Sequence, residues 1–227
     1  MNSKNLIRWA GLAALVAGIC FVVVELFDLP IVLSSVTTPR WVIVRGLAIA
    51  MALFGLLGVT GIYARQAGQA GWLGLAGYLL YSLWLVLRLA FNFFQAFILP
   101  LLANEAPAFV EAFLVILNRT PGEMSFGYVP ALWNLSDILF VLGSLVFGIA
   151  TLRAGVLSRW AAGVFTVGIA VAPAYGLLPT ALQPFVAVPI GLGLAWMGFS
   201  VWAERIAPTE QPAPGRGMAQ LRPTSAE

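Results

Sequence analysis

Four charged residues stand inside apolar runs, and any chemistry in this chain has to start from them. Arg88 lies in the stretch 84–95 (WLVLRLAFNFFQ), between Leu85, Val86 and Leu87 on one side and Leu89, Ala90 and Phe91 on the other, with no acid near it in sequence. Glu25, Arg45 and Asp137 interrupt three other apolar runs. A charge placed among such residues costs at least a few kcal/mol and as a rule faces a protein interior or a wet cavity, so each needs a partner. Asn92 and Gln95 follow Arg88 at i+4 and i+7, Tyr81 and Trp84 continue that face inward, and Asn134 and Ser144 share a face with Asp137.

Two readings of this set stand side by side. In the first, Arg88, Asn92, Gln95, Asn134, Asp137, Glu25 and Arg45 form an outward-facing polar pocket. There Arg88 binds an anionic group of a small ligand, and Asp137 or Glu25 balances it or carries a proton. In the second, Arg88 and either Asp137 or Glu25 form a buried ion pair that fixes helix register. Glu25, Asp28 and Arg45 have a further option, which is to reach the interface by snorkelling, and this is the fate expected for Asp28.

Absences narrow the chemistry. The chain has no histidine, one cysteine (Cys20) and one lysine (Lys4). That removes His-ligated haem, the usual zinc sites, His general-base catalysis, thiolate clusters, an intramolecular disulfide and an intramembrane Schiff base. No phosphate-binding glycine loop, activated nucleophile or acid cluster with metal-ligand spacing is visible. The expectation is therefore a protein without cofactor or metal, and not an enzyme.

The elements that must hold these residues are membrane helices. Of the 227 residues, 61% are hydrophobic and 9% charged, against about 25% charged in a soluble domain. The +3 net charge forms no basic stripe, so a nucleic-acid partner is not expected. The fold class predicted is all-α: a polytopic bundle of six transmembrane helices in one domain, 1–203, with spans at about 7–29, 42–63, 72–99, 131–152, 160–178 and 182–202. The first apolar run is too long for a cleavable signal and is read as a retained helix. YARQAGQAG (63–71) is read as a tight polar turn, and the third span, ending at Pro100, is long enough to tilt or project. The segment 107–118 is too short to cross and is read as an interfacial or re-entrant helix. The proline- and glycine-rich stretch 204–227 is expected to be a disordered cytoplasmic tail.

The basic residues orient the bundle. With a cytoplasmic N-terminus, that side holds Lys4, Arg8, Arg65, Arg153, Arg159, Arg205, Arg216 and Arg222, against Arg40, Arg45 and Arg119 opposite. Trp9, Trp72, Trp160 and Trp202 then fall at the cytoplasmic helix ends. At a rise of about 1.5 Å per residue, Arg88 and Glu25 stand about 24 Å above that edge, Asp137 about 22 Å and Arg45 about 27 Å. Four helices thus bring a charge to one layer. Small residues (Gly11, Ala14 and Gly18; Ala48, Ala52 and Gly55; Gly191, Ala195 and Gly198) mark faces for close packing. Pro173 and Pro189 are expected to kink their spans. RWAG at 8–11 echoes RWAAG at 159–163; a basic residue and a tryptophan at a helix end explain both, and duplication of a helical hairpin is the alternative.

The segments LGSLVFGIATLRAGVLSRWAAGVF (142–165) and PIGLGLAWMGFSVW (189–202), with the third-span arginine, resemble a loose family of uncharacterised bacterial six-helix integral membrane proteins. In similar proteins that arginine is followed by an acid three residues later; here the position is Phe91, so no intrahelical pair forms. The resemblance implies a multi-pass protein of the bacterial cytoplasmic (inner) membrane and no particular activity. The partners expected are the lipid bilayer, a small anionic or polar ligand, and a membrane protein or second copy of the chain. Function divides between a non-catalytic accessory or ligand-binding bundle and a small-solute or proton-coupled transporter.

Overall fold

The computed structural model describes residues 3–122, 124–179 and 182–204, and within them the chain is all-α. Five helices are long and apolar enough to cross a membrane: Asn5–Phe27, Pro39–Glu105, Val129–Ala154, Arg159–Leu177 and Gln183–Ala203. In chain order the helices are α1 (Ser3–Phe27), α2 (Leu33–Val36), α3 (Pro39–Phe93), α4 (Leu99–Glu105), α5 (Pro107–Leu117), α6 (Val129–Ala154), α7 (Arg159–Val171) and α8 (Ala187–Ala203). A π-helical turn, Phe94–Ile98, joins α3 to α4, and 3-10 turns at Ala172–Leu177 and Gln183–Val186 lie between α7 and α8.

Helix α3 is a hairpin. Its backbone leaves helical geometry at Gly71, with φ 56° and ψ −156°, a combination open essentially to glycine alone. The two arms, 39–70 and 72–93, then pack antiparallel: Tyr63 stacks on Tyr78 at 4.8 Å and Thr60 Oγ1 lies 3.2 Å from the Tyr78 hydroxyl. The predicted turn at 63–71 is thus a correction. Alanine, glutamine and arginine are good helix formers, so the helix continues to Ala70 and the reversal takes place at one residue.

Close approaches between backbones order the helices. Gly11 and Gly18 of α1 meet Gly198 and Gly191 of α8, while Gly58 and Gly61 of the first α3 arm meet Ala14 and Ala10. Gly77 of the second arm lies on Phe147 of α6, and Gly143 of α6 lies on Leu80 and Tyr81. Gly148 of α6 meets Thr166 of α7, and Gly193 of α8 meets Phe165. The result is a ring in the order α1, first arm, second arm, α6, α7, α8, with every neighbour antiparallel. In lipid, where apolar burial between helices gains little, such close contact is a main source of association.

Aromatic side chains fill the ring. Phe21 of α1 lies edge-on to Trp84 and stacks on Phe140 of α6, and Tyr81 contacts Trp84, Phe147 and Phe165. Hydrogen bonds from Arg8 Nε to Trp202 O (3.2 Å), Arg65 Nε to Glu204 Oε2 (2.7 Å) and Gln66 Nε2 to Thr151 Oγ1 (2.8 Å) gather the hairpin bend, the start of α1 and the ends of α6 and α8 at one end of the ring. We call this the inner end. At the outer end α2, α4 and α5 join Trp41 of α3 and Trp133 of α6 in a second core that includes Val36, Leu99, Val110 and Phe113.

Two expectations about proline change. Pro100 does not end its helix, because the π-helical turn carries the chain through to Glu105. Pro189 makes no kink, because α8 begins at Ala187 and a proline in the first helical turn removes no needed hydrogen bond. Pro173 does coincide with a change, from α-helix to 3-10 geometry at Ala172. The stretch 205–227, expected to be a disordered tail, lies outside the described residues.

Candidate functional site at the outer mouth

The site is built from three repeats of one relationship, a charged residue one turn outward of an aromatic. On α1 it is Glu25 beyond Phe21; on the second α3 arm, Arg88 beyond Trp84; on α6, Asp137 beyond Phe140. Phe21, Trp84 and Phe140 touch one another, with ring centroids 4.7–6.5 Å apart, and close the ring beneath the charges. Arg88 Nη2 donates to Glu25 Oε1 at 3.3 Å, joining two helices that are not neighbours in the ring. Their side chains are 19% and 28% exposed, so the pair is neither sealed nor fully solvated.

A second pair lies beside it. Arg45 Nη2 donates to Asp28 Oδ1 at 2.5 Å, and the Arg45 guanidinium sits over the Trp41 ring at 4.4 Å. Asp28 therefore does not stand alone at the interface; it follows the last residue of α1, accepts from the Leu29 N–H at 2.8 Å and neutralises Arg45. Asp137 is engaged elsewhere, by Arg119 Nη2 at 2.5 Å. Of the two partners that the sequence left open for Arg88, the structure supplies Glu25.

Trp41 also mends the backbone. In the π-helical turn the Leu99 N–H donates to Phe94 O, five residues back. In that register Gln95 O would await the N–H of residue 100, which is proline and has none. Trp41 Nε1 donates to Gln95 O at 2.8 Å in its place. A lone buried carbonyl would cost about 1–3 kcal/mol, so the tryptophan holds the first arm, the π turn and the Arg45 guanidinium together.

The remaining candidates divide. Asn92 is fully buried, and its Nδ2 donates to Arg88 O at 2.7 Å, within its own helix. Gln95 is buried in the π turn, and its backbone carbonyl makes the contact described above. Asn134 is exposed and stays out of the cluster, because the buried side of α6 runs through Trp133, Ser136, Leu139, Gly143 and Phe147. Sequence reasoning missed Trp41 and Arg119. Pro100 within an apolar run was the available signal for the first, since it orphans a carbonyl; the second comes from a loop, and no periodicity announces it.

Three cations and three anions (Arg45, Arg88, Arg119; Asp28, Glu25, Asp137) thus pair within one outer layer. Arg88 Nε and Asn92 Oδ1 are buried without a partner, one a donor and the other an acceptor. Such a layer can hold register, and it can exchange one of its internal pairs for a ligand of matching charge. Among the described residues no three of His, Cys, Asp or Glu converge on a point that could hold a metal ion. The chain matches no protein-family model, no curated protein and no solved structure.

Proposed function

We propose that this is a six-span integral membrane protein, a non-catalytic ligand-binding or accessory bundle, whose outer mouth takes a small polar or anionic group at Arg88. The observation that carries the reading is the partly open Glu25–Arg88 pair above the Phe21, Trp84 and Phe140 floor. Six crossings follow from reading the 67-residue apolar element as two spans folded at Gly71. The inner end takes the cytoplasmic side because it gathers Arg8, Arg65, Arg153 and Arg159, and because Trp9, Trp72 and Trp160 project there with 68%, 85% and 78% exposure, as interfacial tryptophans do. In this frame α5 lies at the outer interface.

Titration of the protein in nanodiscs with small carboxylates and amino acids, read by tryptophan fluorescence, tests the site. A saturable change that is lost in Arg88→Met and in Trp84→Phe supports it; the same curve in wild type and Arg88→Met would remove Arg88 from any binding role.

A second reading, a small-solute or proton-coupled carrier, draws on the same asymmetry: a charged mouth on one side and a closed aromatic floor below it are what one state of an alternating-access cycle requires. Uptake of the same solutes into proteoliposomes, with and without a pH gradient, separates carrier from receptor.

A further inference from the structure

At the outer end three cations are paired with three acids, whereas at the inner end the cations outnumber the acids. Among the described inner-end residues the acid is Glu204, and Arg65 occupies it at 2.7 Å. Arg8 is tied by Nε to the Trp202 carbonyl. Arg153 and Arg159 are different: both are exposed, and neither side chain makes a hydrogen bond or ion pair with the described residues. They bracket one tight turn. Helix α6 ends on Gly155 at φ 63°, and Ser158 caps α7 by accepting from the Ala161 N–H at 3.4 Å. The Arg159 guanidinium folds back over this turn, with Nη2 3.8 Å from the position of a Cβ on Gly155. Trp160, 78% exposed, stands next to it at the start of α7.

We infer that the α6–α7 turn binds the headgroup phosphate of an anionic phospholipid, with Arg153 and Arg159 as the ligating cations and Trp160 seated just below the headgroup, at the glycerol level. The chemistry is direct. A guanidinium donates two parallel N–H bonds to phosphate oxygens, and the turn places two such donors where a headgroup lies. The adjacent tryptophan has an apolar body and a single N–H, which suits the boundary between glycerol and hydrocarbon. No acid in the segment 153–160 competes for either arginine. The same view gives a use to the sequence echo: Arg8-Trp9 and Arg159-Trp160 lie toward the inner ends of the two helices that flank α8, and only the second pair has its guanidinium unengaged by the described residues.

Native mass spectrometry of the detergent-purified full chain, offered equal amounts of phosphatidylglycerol and phosphatidylcholine, tests this. Wild type should retain phosphatidylglycerol preferentially, and Arg153→Gln with Arg159→Gln should cut that preference about fivefold per arginine. An unchanged preference in the double variant, or none in wild type, overturns the site. Should the double variant fail to fold, wild type alone decides. Phosphatidylglycerol must raise its melting temperature above that in phosphatidylcholine, and the gain must shrink as salt rises from about 50 to about 500 mM, as screened charges require. A missing or salt-independent gain rejects the proposal, and so does an equal gain from inorganic phosphate, which would make the ligand a free anion and not a lipid.

Discussion

Glu25 and Arg88 meet at 3.3 Å across the outer mouth of the ring, one helical turn beyond the contact of Phe21 with Trp84. The pair therefore ties α1 to the second arm of α3, two helices that are not neighbours in the ring. Breaking a fully buried pair costs about 3–5 kcal/mol, and replacing both members with apolar residues is often neutral; the partial exposure here lowers the expectation to about 1–3 kcal/mol for a single loss. Arg88→Met should destabilise, Arg88→Met with Glu25→Leu should recover most of the loss, and Arg88→Met with Asp137→Leu should be additive. Thermal unfolding of the set in nanodiscs checks this. Recovery through Asp137 and not Glu25 would mean that the pairing has been misassigned.

Trp41→Phe keeps the ring under Arg45 but strips the donor from Gln95 O, so it should cost about 1–3 kcal/mol. Pro100→Ala restores an N–H to the helix and lets it return to an α-helical register, in which the Leu99 N–H reaches Gln95 O. The double variant should therefore be more stable than Trp41→Phe alone. A Trp41→Phe variant as stable as wild type would show that the π turn does not depend on this bond.

Glycines can be ranked by what a methyl group would meet. Gly77→Ala puts a Cβ onto the backbone of Phe147, whereas Gly163→Ala meets nothing within 4 Å. The first should destabilise by about 1–3 kcal/mol through overpacking, and the second should be neutral or stabilise by up to about 1 kcal/mol, because alanine suits a helix better than glycine. Equal melting temperatures for the two variants would count against the close α3–α6 seam.

Cysteines at Gly68 and Asn104, in a Cys20→Ala background, report on topology, since both positions are exposed and stand at opposite ends of the bundle. Asn104 should label from outside intact cells, and Gly68 only after permeabilisation. Labelling of both from one side would end the six-span reading.

Much of the helical architecture was legible in the sequence because apolar runs and their tryptophan ends are local signals. The common depth of Glu25, Arg88 and Asp137 was legible too, since helical rise alone sets it. Partner choice was not. Depth cannot tell which faces turn toward each other, and Arg119 reaches Asp137 from a loop whose course no periodicity records. Pro100 marks a stop on local grounds, because proline removes a hydrogen bond; that an indole from a distant part of the chain supplies the replacement is a tertiary fact. The composition of 63–71 suggests a polar turn, whereas most of its residues favour helix and Gly71 alone suffices to reverse the chain.

The closure of the ring by α1 and α8 sets a schedule for biogenesis. Helix α1 packs Gly11 and Gly18 against α8, the ring helix farthest from it along the sequence, so that side of α1 has no permanent neighbour until α8 has been made. A newborn chain can settle the α3 hairpin against α1, and α6 against α3, as each emerges, but the final seam waits for the ribosome to deliver α8. Until then the bare glycine face of α1 is open to lipid or to a wrong helix.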